Sequence, residues 1–212
     1  MTVWDQYAHD VINGKITTSK WITLACQRHL DDLNNCHDRG LWFDHNDAHR
    51  FIQFFERFLH HSKGKWAGQP FTLLPWQQFA IANIFGWKRD DGSRRFSTFY
   101  CQVARKNGKT QLLAGIGLAM LDFDGEQGSE VVWGATKRDQ ARICHDEATR
   151  MVRSSPHLNK RIKILRNNLA VPSSHSKAEP LSSDAKSLDG LNVHCAVLDE
   201  FHAHKDADLL NV

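Results

Sequence analysis

No stretch of the 212 residues approaches the roughly 18 consecutive apolar residues of a membrane span, so no membrane partner is expected. The opening, MTVWDQYAHD, has neither the basic n-region nor the apolar run of a secretion signal. Cysteine is sparse, with five residues in an odd set without regular spacing. This excludes a disulfide framework and predicts reduced thiols in a cytosol. Internal repeats and low-complexity tracts are absent. A large excess of one charge is also lacking. The balance of 27 Lys and Arg against 24 Asp and Glu leaves +3, which permits a polyanionic partner without requiring one. What the chain does have is apolar content, 41% with 7 Trp and 12 Phe, enough for a packed core in one domain or a domain plus a smaller appendage.

Residues 1 to about 62 read as helical from apolar spacing. TTSKWITLACQRHLDDLNNC offers Thr18 or Ser19 as an N-cap and a stripe of Ile22, Cys26, Leu30 and Leu33. DHNDAHRFIQFFERFLHH offers Asp44 or Asp47 as a cap, then Phe51, Phe55 and Phe58 on one face. HSKGKWAGQPF, residues 61–71, has the Gly, Lys and Pro of a connector, and places a boundary near residue 65 between a helical region, 1–65, and the remainder, 66–212. LLPWQQFAIANIFGW then suits a helix entered at Pro75 and left at Gly86. RRFSTFYCQVA, residues 94–104, has the β-branched and aromatic content of a strand. SEVVWGAT predicts another strand and KRDQARICHDEATRMVRSS a helix. RIKIL and LAVP flank a hairpin turn at Arg166, Asn167 and Asn168, and VHCAVLDEF predicts a buried strand ending in two acids. This alternation indicates an α/β fold with a mainly parallel sheet flanked by helices, preceded by the helical N-terminal region.

Three segments carry chemistry. VARKNGKTQLLAG, residues 103–115, sets a predicted strand at 96–103, a loop at 104–109 and a helix from Thr110, with Leu112, Leu113, Ile116, Met120 and Leu121 as its apolar positions. A helix N-terminus approached through such a loop aims free N–H groups and its dipole at phosphates. Lys109 then reaches the β- and γ-phosphates, the Thr110 hydroxyl ligates Mg²⁺, and Gly108 admits close backbone approach. The usual first glycine is replaced by Val103, and an ordinary glycine turn would carry the same Gly-Lys-Thr. The second segment, CAVLDE, ends a strand with Asp199, suited to hold Mg²⁺, and Glu200, suited to orient and deprotonate a water. The third is LLPWQQF, in which Gln77, or Gln78 as the alternate, offers the acceptor and donors that match the adenine edge.

With these in order, the chain resembles the ATPase half of a tailed-phage terminase large subunit, a P-loop motor that packages DNA. VINGKI, ACQRHLDDL and KGKWAGQPFTLLPWQ resemble the family's N-terminal region, ARKNGKT its deviant phosphate loop, and GATKRDQARICHDEATRMV with SLDGLNVHCAVLDEFHAH its middle and acid motif. The resemblance implies ATP and Mg²⁺ as cofactors, with Arg105, Lys106, Asn107, Gly108, Lys109 and Thr110 around the nucleotide. It implies Arg105 as a charge-stabilising finger, acting in its own subunit or a neighbour's; pairing with a nearby carboxylate is the other reading of that arginine. It further implies double-stranded DNA, a portal protein and a small terminase subunit as partners, and a homo-oligomeric ring. The family continues with a coupling strand and a nuclease domain that are not legible here. An incomplete sheet, no nuclease activity and poor ATP turnover are therefore expected of these 212 residues.

Other features have plainer readings. Cys26, His29, Cys36 and His37 match no common zinc spacing and suit helix packing. His202 and His204 fit a solvated turn, Lys137 and Arg138 fit a helix start as well as a nucleic-acid contact, and RIKILR fits a charged edge strand. A helicase-like ATPase and a non-catalytic interaction module that keeps the fold are the rival functions.

Overall fold

The computed structural model describes residues 1–135, 138–182 and 192–200, apart from the side chains of residues 138, 139 and 182. They form two compact units, Met1–Glu56 with Thr72–Gln102, and Arg57–Phe71 with the described residues from Val103 onward. The division therefore does not fall at residue 65, and packing explains why.

In the first unit, α1 (Val3–Ile12), α2 (Lys20–Asn35) and all but the last two residues of α3 (His45–Phe58) precede α4 (Pro75–Gly86), while β1 (Leu41–Phe43) pairs antiparallel with β2 (Trp87–Arg89). Helix starts follow local chemistry. Ser19 Oγ accepts from the Ile22 N–H, and Asp44 Oδ1 accepts from the N–H groups of Asn46 and Asp47 at 2.9 and 3.0 Å, satisfying donors that α3 leaves free. Residues 72–102 belong with this unit because α4 packs on α1 and Phe85 stacks on Phe51 at 3.7 Å. Truncating either buried ring to alanine would cost about 3–5 kcal/mol. Gly86 ends α4 without a left-handed turn; a Cβ there would lie 2.6 Å from the Phe43 ring, so close packing dictates the glycine.

The buried stripe of α2 differs from the apolar one. Cys26, His29 and Asp32 are buried, whereas Ile22 is exposed and Leu30 and Leu33 are only half-buried. Hydrogen bonds make the polar stripe tolerable. His29 Nε2 lies 3.1 Å from Asp5 Oδ1, and its Nδ1 accepts from Trp87 Nε1 at 3.1 Å. Asp32 accepts from Arg95 at 2.5 Å and also pairs with Arg39. Both ring nitrogens of His29 are thus engaged within the protein, which removes it as a zinc ligand.

In the second unit, α5 (Lys109–Leu118) runs into a single π-helical turn, Ala119–Phe123. β3 (Glu130–Ala135), α6 (Arg138–Ser154), α7 (Pro156–Arg161), β4 (Lys163–Ile164), β5 (Leu169–Val171), β6 (Ser176–Ser182) and β7 (Val193–Leu198) follow. The sheet order is β4-β5-β6-β3-β7. β6, β3 and β7 are parallel, while β4, β5 and β6 meander antiparallel through the hairpin at residues 165–168. α6 packs on β3 and β6, and α5 packs on α6, β3 and β7. Gly117 lets α5 lie against Trp133, whose ring would stand 2.6 Å from a Cβ. Residues 57–71 belong here because Phe58 meets Phe123 and His157, and Ser62 donates to Glu147.

Two strand expectations change. Residues 96–104 contain no strand. Phe96 is taken up by the Arg28 and Arg95 guanidinium groups, and neighbouring Phe99 and Tyr100 are both exposed, so the alternation of a half-buried strand is missing. β-propensity without a facing ladder does not make a strand. β7, expected to be buried, has only Val197 buried; among the described residues it pairs on one side, with β3. No helix among the described residues is long and apolar enough to cross a membrane.

Candidate active site

The loop ahead of α5 is shaped by two left-handed residues, Lys106 at φ 67° and Gly108 at φ 76°. Glycine takes that conformation without steric cost, and here it turns the chain directly into the helix. The Leu112 N–H bonds the Gly108 carbonyl at 3.0 Å, so Lys109 and Thr110 occupy the first turn. The N–H groups of that turn lack intrahelical acceptors and carry the positive end of the helix dipole. Asn107 closes the loop on itself, its Nδ2 donating to the carbonyls of Ala104 at 3.0 Å and Arg105 at 3.3 Å.

The acids arrive from β7. The Asp199 N–H donates to the Gly134 carbonyl at 3.0 Å, prolonging the β3–β7 ladder and aiming the strand end at α5. Lys109 Nζ then lies 2.8 Å from Asp199 Oδ1 and 3.0 Å from Glu200 Oε1. Burial works against the ammonium, but the hydrogen bonds and negative charges of the two acids outweigh it and hold the Lys109 pKa above its ordinary value. Asp199 side-chain exposure is 13% and that of Glu200 is 43%, so Glu200 is the more open to solvent. Glu200 also takes a left-handed φ of 51°, uncommon for a non-glycine residue, with its N–H held by Asp199 Oδ1 at 2.9 Å. The other Asp199 oxygen lies 3.9 Å from Cys144 Sγ. Burial, aided by the Asp199 charge, pushes that thiol up to about 12, leaving it a neutral donor at pH 7.

Behind the first turn of α5 stands a network that periodicity did not single out. Gln111 Nε2 donates to Glu147 Oε1 at 3.2 Å, and Gln111 Oε1 lies 3.0 Å from His61 Nδ1. Glu147 also accepts from Ser62 and, through Oε2, from Arg150 at 2.8 Å. Burial disfavours the Glu147 carboxylate, yet these donors lower its pKa below the usual glutamate value. The signal was present: Glu147 falls inside the buried stripe of Ala141, Cys144, Ala148 and Met151 on α6. A carboxylate at such a position needs partners.

The structure thus brings Lys109, Asp199 and Glu200 together. Thr110 is half-buried in the same helical turn. Arg105 and Lys106 are exposed on the loop, and among the described residues neither has an ion-pair partner. Gln77 lies in the first unit and is buried, its Oε1 accepting the Leu74 N–H at 2.8 Å at the start of α4; Gln78 donates to the Leu73 carbonyl at 3.0 Å. Lys137, His202 and His204 lie outside the described residues, and the Arg138 side chain does likewise.

A mainly parallel sheet flanked by helices, with a loop turning into a helix N-terminus and two strand-end acids on the helix lysine, defines an α/β protein. Residues 75–212 match the family described as terminase large subunit, ATPase domain. The chain is 34% identical over 155 residues to the terminase large subunit of Enterobacteria phage HK97, covering 71% of this chain and 30% of that one. The crystal structure of the HK97 bacteriophage large terminase is similar at a TM-score of 0.60 with 31% identity, again over 71% of this chain and 30% of the other. The chain therefore belongs to the phage terminase large subunits and carries their ATPase domain, spanning about 30% of the length of the relative it matches.

Proposed function

We propose that the chain is the ATP-hydrolysing part of a motor that drives double-stranded DNA into a procapsid in the cytoplasm of a bacterial host. Its working form is a homo-oligomeric ring that meets a portal protein and a small terminase subunit. The observation that carries the reading is the Lys109 ammonium shared between Asp199 and Glu200 at the start of α5. One hydroxyl and one carboxylate, Thr110 and Asp199, are hard oxygen donors of the kind Mg²⁺ takes when phosphates complete its shell. Bound there, Mg²⁺ supplies neutralisation of the β- and γ-phosphate charge.

The remaining roles fall to the chain's own groups. The Lys109 ammonium exchanges its carboxylates for phosphate oxygens, which releases both acids. Glu200, the more exposed acid, then orients the attacking water and accepts its proton. Backbone N–H groups from Lys106 to Thr110 surround the phosphates, with Asn107 keeping the loop closed. Arg105 balances charge that develops on the transferred phosphoryl group. Gln77 reads the adenine edge, and to do so its side chain leaves the cap it now serves. Phosphate release from ATP, measured with and without linear duplex DNA, tests the reading against Lys109→Ala, in which nucleotide binding is lost. Nucleotide binding that survives Lys109→Ala would overturn it.

A second reading, nucleotide binding without turnover, draws on the absence of strand structure at 96–104 among the described residues, since a loop entered from a segment outside the described ladders is held less firmly. Stabilisation by Mg-ATP with no phosphate release under either DNA condition would favour it.

A further inference from the structure

Charge is distributed unevenly over the second unit. Residues 148–178 hold seven Lys and Arg and no Asp or Glu, where the chain average of 24 acids in 212 residues would place about three or four. Three of the seven are neutralised locally: Arg150 by Glu147, Arg161 by Asp122, and Lys177 by Glu130 and Glu179. Lys160 at the end of α7, Lys163 on β4 and Arg166 in the β4–β5 turn are exposed, and among the described residues none has a carboxylate at ion-pair distance. Arg142 of α6 joins them, its NH2 reaching Asn167 Oδ1 of the same turn at 3.5 Å. A cavity of about 90 Å³ is lined by Arg142, Arg166 and Asn167, with Asp146 as its one carboxylate.

We propose that α7, the β4–β5 turn and Arg142 form a binding face for the sugar-phosphate backbone of duplex DNA, with the Arg142–Arg166 cavity seating a phosphate. The identity of the polyanion rests on the packaging reading above; the face itself rests on the charge and geometry. Among the described residues β4 is an edge strand, and a lysine there also discourages edge-to-edge pairing. That accounts for Lys163 but not for Lys160 and Arg142 on helices, nor for 31 positions without an acid. Arginine forks suit phosphate oxygens, and a contact of this kind fixes position without reading sequence.

The test is fluorescence anisotropy of a labelled duplex of random sequence across a salt series. The proteins are the wild-type chain, Arg142→Ala, Lys163→Ala, Arg166→Ala and Arg166→Lys, with Lys20→Ala as an exposed lysine from the first unit. Each alanine variant of the face is expected to weaken binding and to reduce the slope of log affinity against log salt by about one. Between 50 and 200 mM salt, wild type then loses about threefold more affinity than each variant. Arg166→Lys should keep the wild-type slope, and Lys20→Ala should be unchanged. Stabilisation by Mg-ATP should be equal in all of them. Wild-type slopes in the three alanine variants, or an equal effect from Lys20→Ala, would overturn the face alone. Loss of Mg-ATP stabilisation in the alanine variants would overturn it too, by tracing the effect to the fold. A wild-type chain that binds no duplex even at low salt would overturn both the face and the packaging reading.

Discussion

Glu200→Gln separates the grip on phosphate from the activation of water. The substitution keeps the shape of the side chain and leaves an amide oxygen to accept from Lys109, but it removes one of the two charges now holding the ammonium at 2.8 and 3.0 Å. Lys109 must leave those acids to reach a phosphate, so losing one competitor favours nucleotide binding. The Glu200 side chain is 43% exposed, which places its share of the pair in the surface range of about 0–1 kcal/mol, far below the unscreened Coulomb figure. The nucleotide is therefore expected to bind with unchanged affinity or up to about fivefold tighter, 1 kcal/mol being about a factor of five. Turnover loses the proton acceptor and should fall by about 10²–10⁴. Titration of the nucleotide with each protein measures the first quantity, and phosphate release at saturating Mg-ATP in the presence of duplex DNA measures the second. Markedly weaker binding by Glu200→Gln would show that Glu200 helps to hold the ligand. Near wild-type turnover would remove it as the base.

Arg105→Ala should lower turnover by about 10³–10⁵ with little change in nucleotide affinity, while Lys106→Ala on the same exposed loop does less; identical behaviour would reduce Arg105 to one charge of a basic loop. Gln77→Ala removes the acceptor of the Leu74 N–H and should cost about 0.5–2 kcal/mol in thermal unfolding, together with any preference for ATP over GTP. Unchanged stability would discount the cap, and unchanged preference the adenine contact. Glu147→Gln should destabilise the chain by about 1–3 kcal/mol at pH 7, because Ser62, Gln111 and Arg150 lose a charged acceptor. Since the folded-state pKa of Glu147 is depressed, its contribution is present above the ordinary value of 4.5 and is lost as pH falls below it, so unfolding midpoints of wild type and variant should converge there. Parallel pH profiles through that window would refute the sign.

Features that depend on a few neighbouring residues were legible in the chain itself. Of the caps offered, Thr18 or Ser19 and Asp44 or Asp47, Ser19 and Asp44 serve, because each needs only the N–H groups two or three residues on. Pro75 and Gly86 bound α4, the turn at 165–168 closes its hairpin, and the alternation of β3, α6 and β7 follows from periodicity. Only the tertiary structure decided which faces are buried and which groups meet. On α2 the polar His29 and Asp32 displaced Ile22 from the interior because Asp5, Trp87 and Arg95, distant in sequence, supply their hydrogen bonds. Residues 96–104 have the composition of a strand and are not one, since a ladder is a property of two segments. Glu147 gained its role from Ser62, 85 residues away, and Lys109 found Glu200 across 91. The residue types at the site were visible in the sequence, but an ion pair exists only between partners, and their meeting depended on how β7 registers against β3 beside α5.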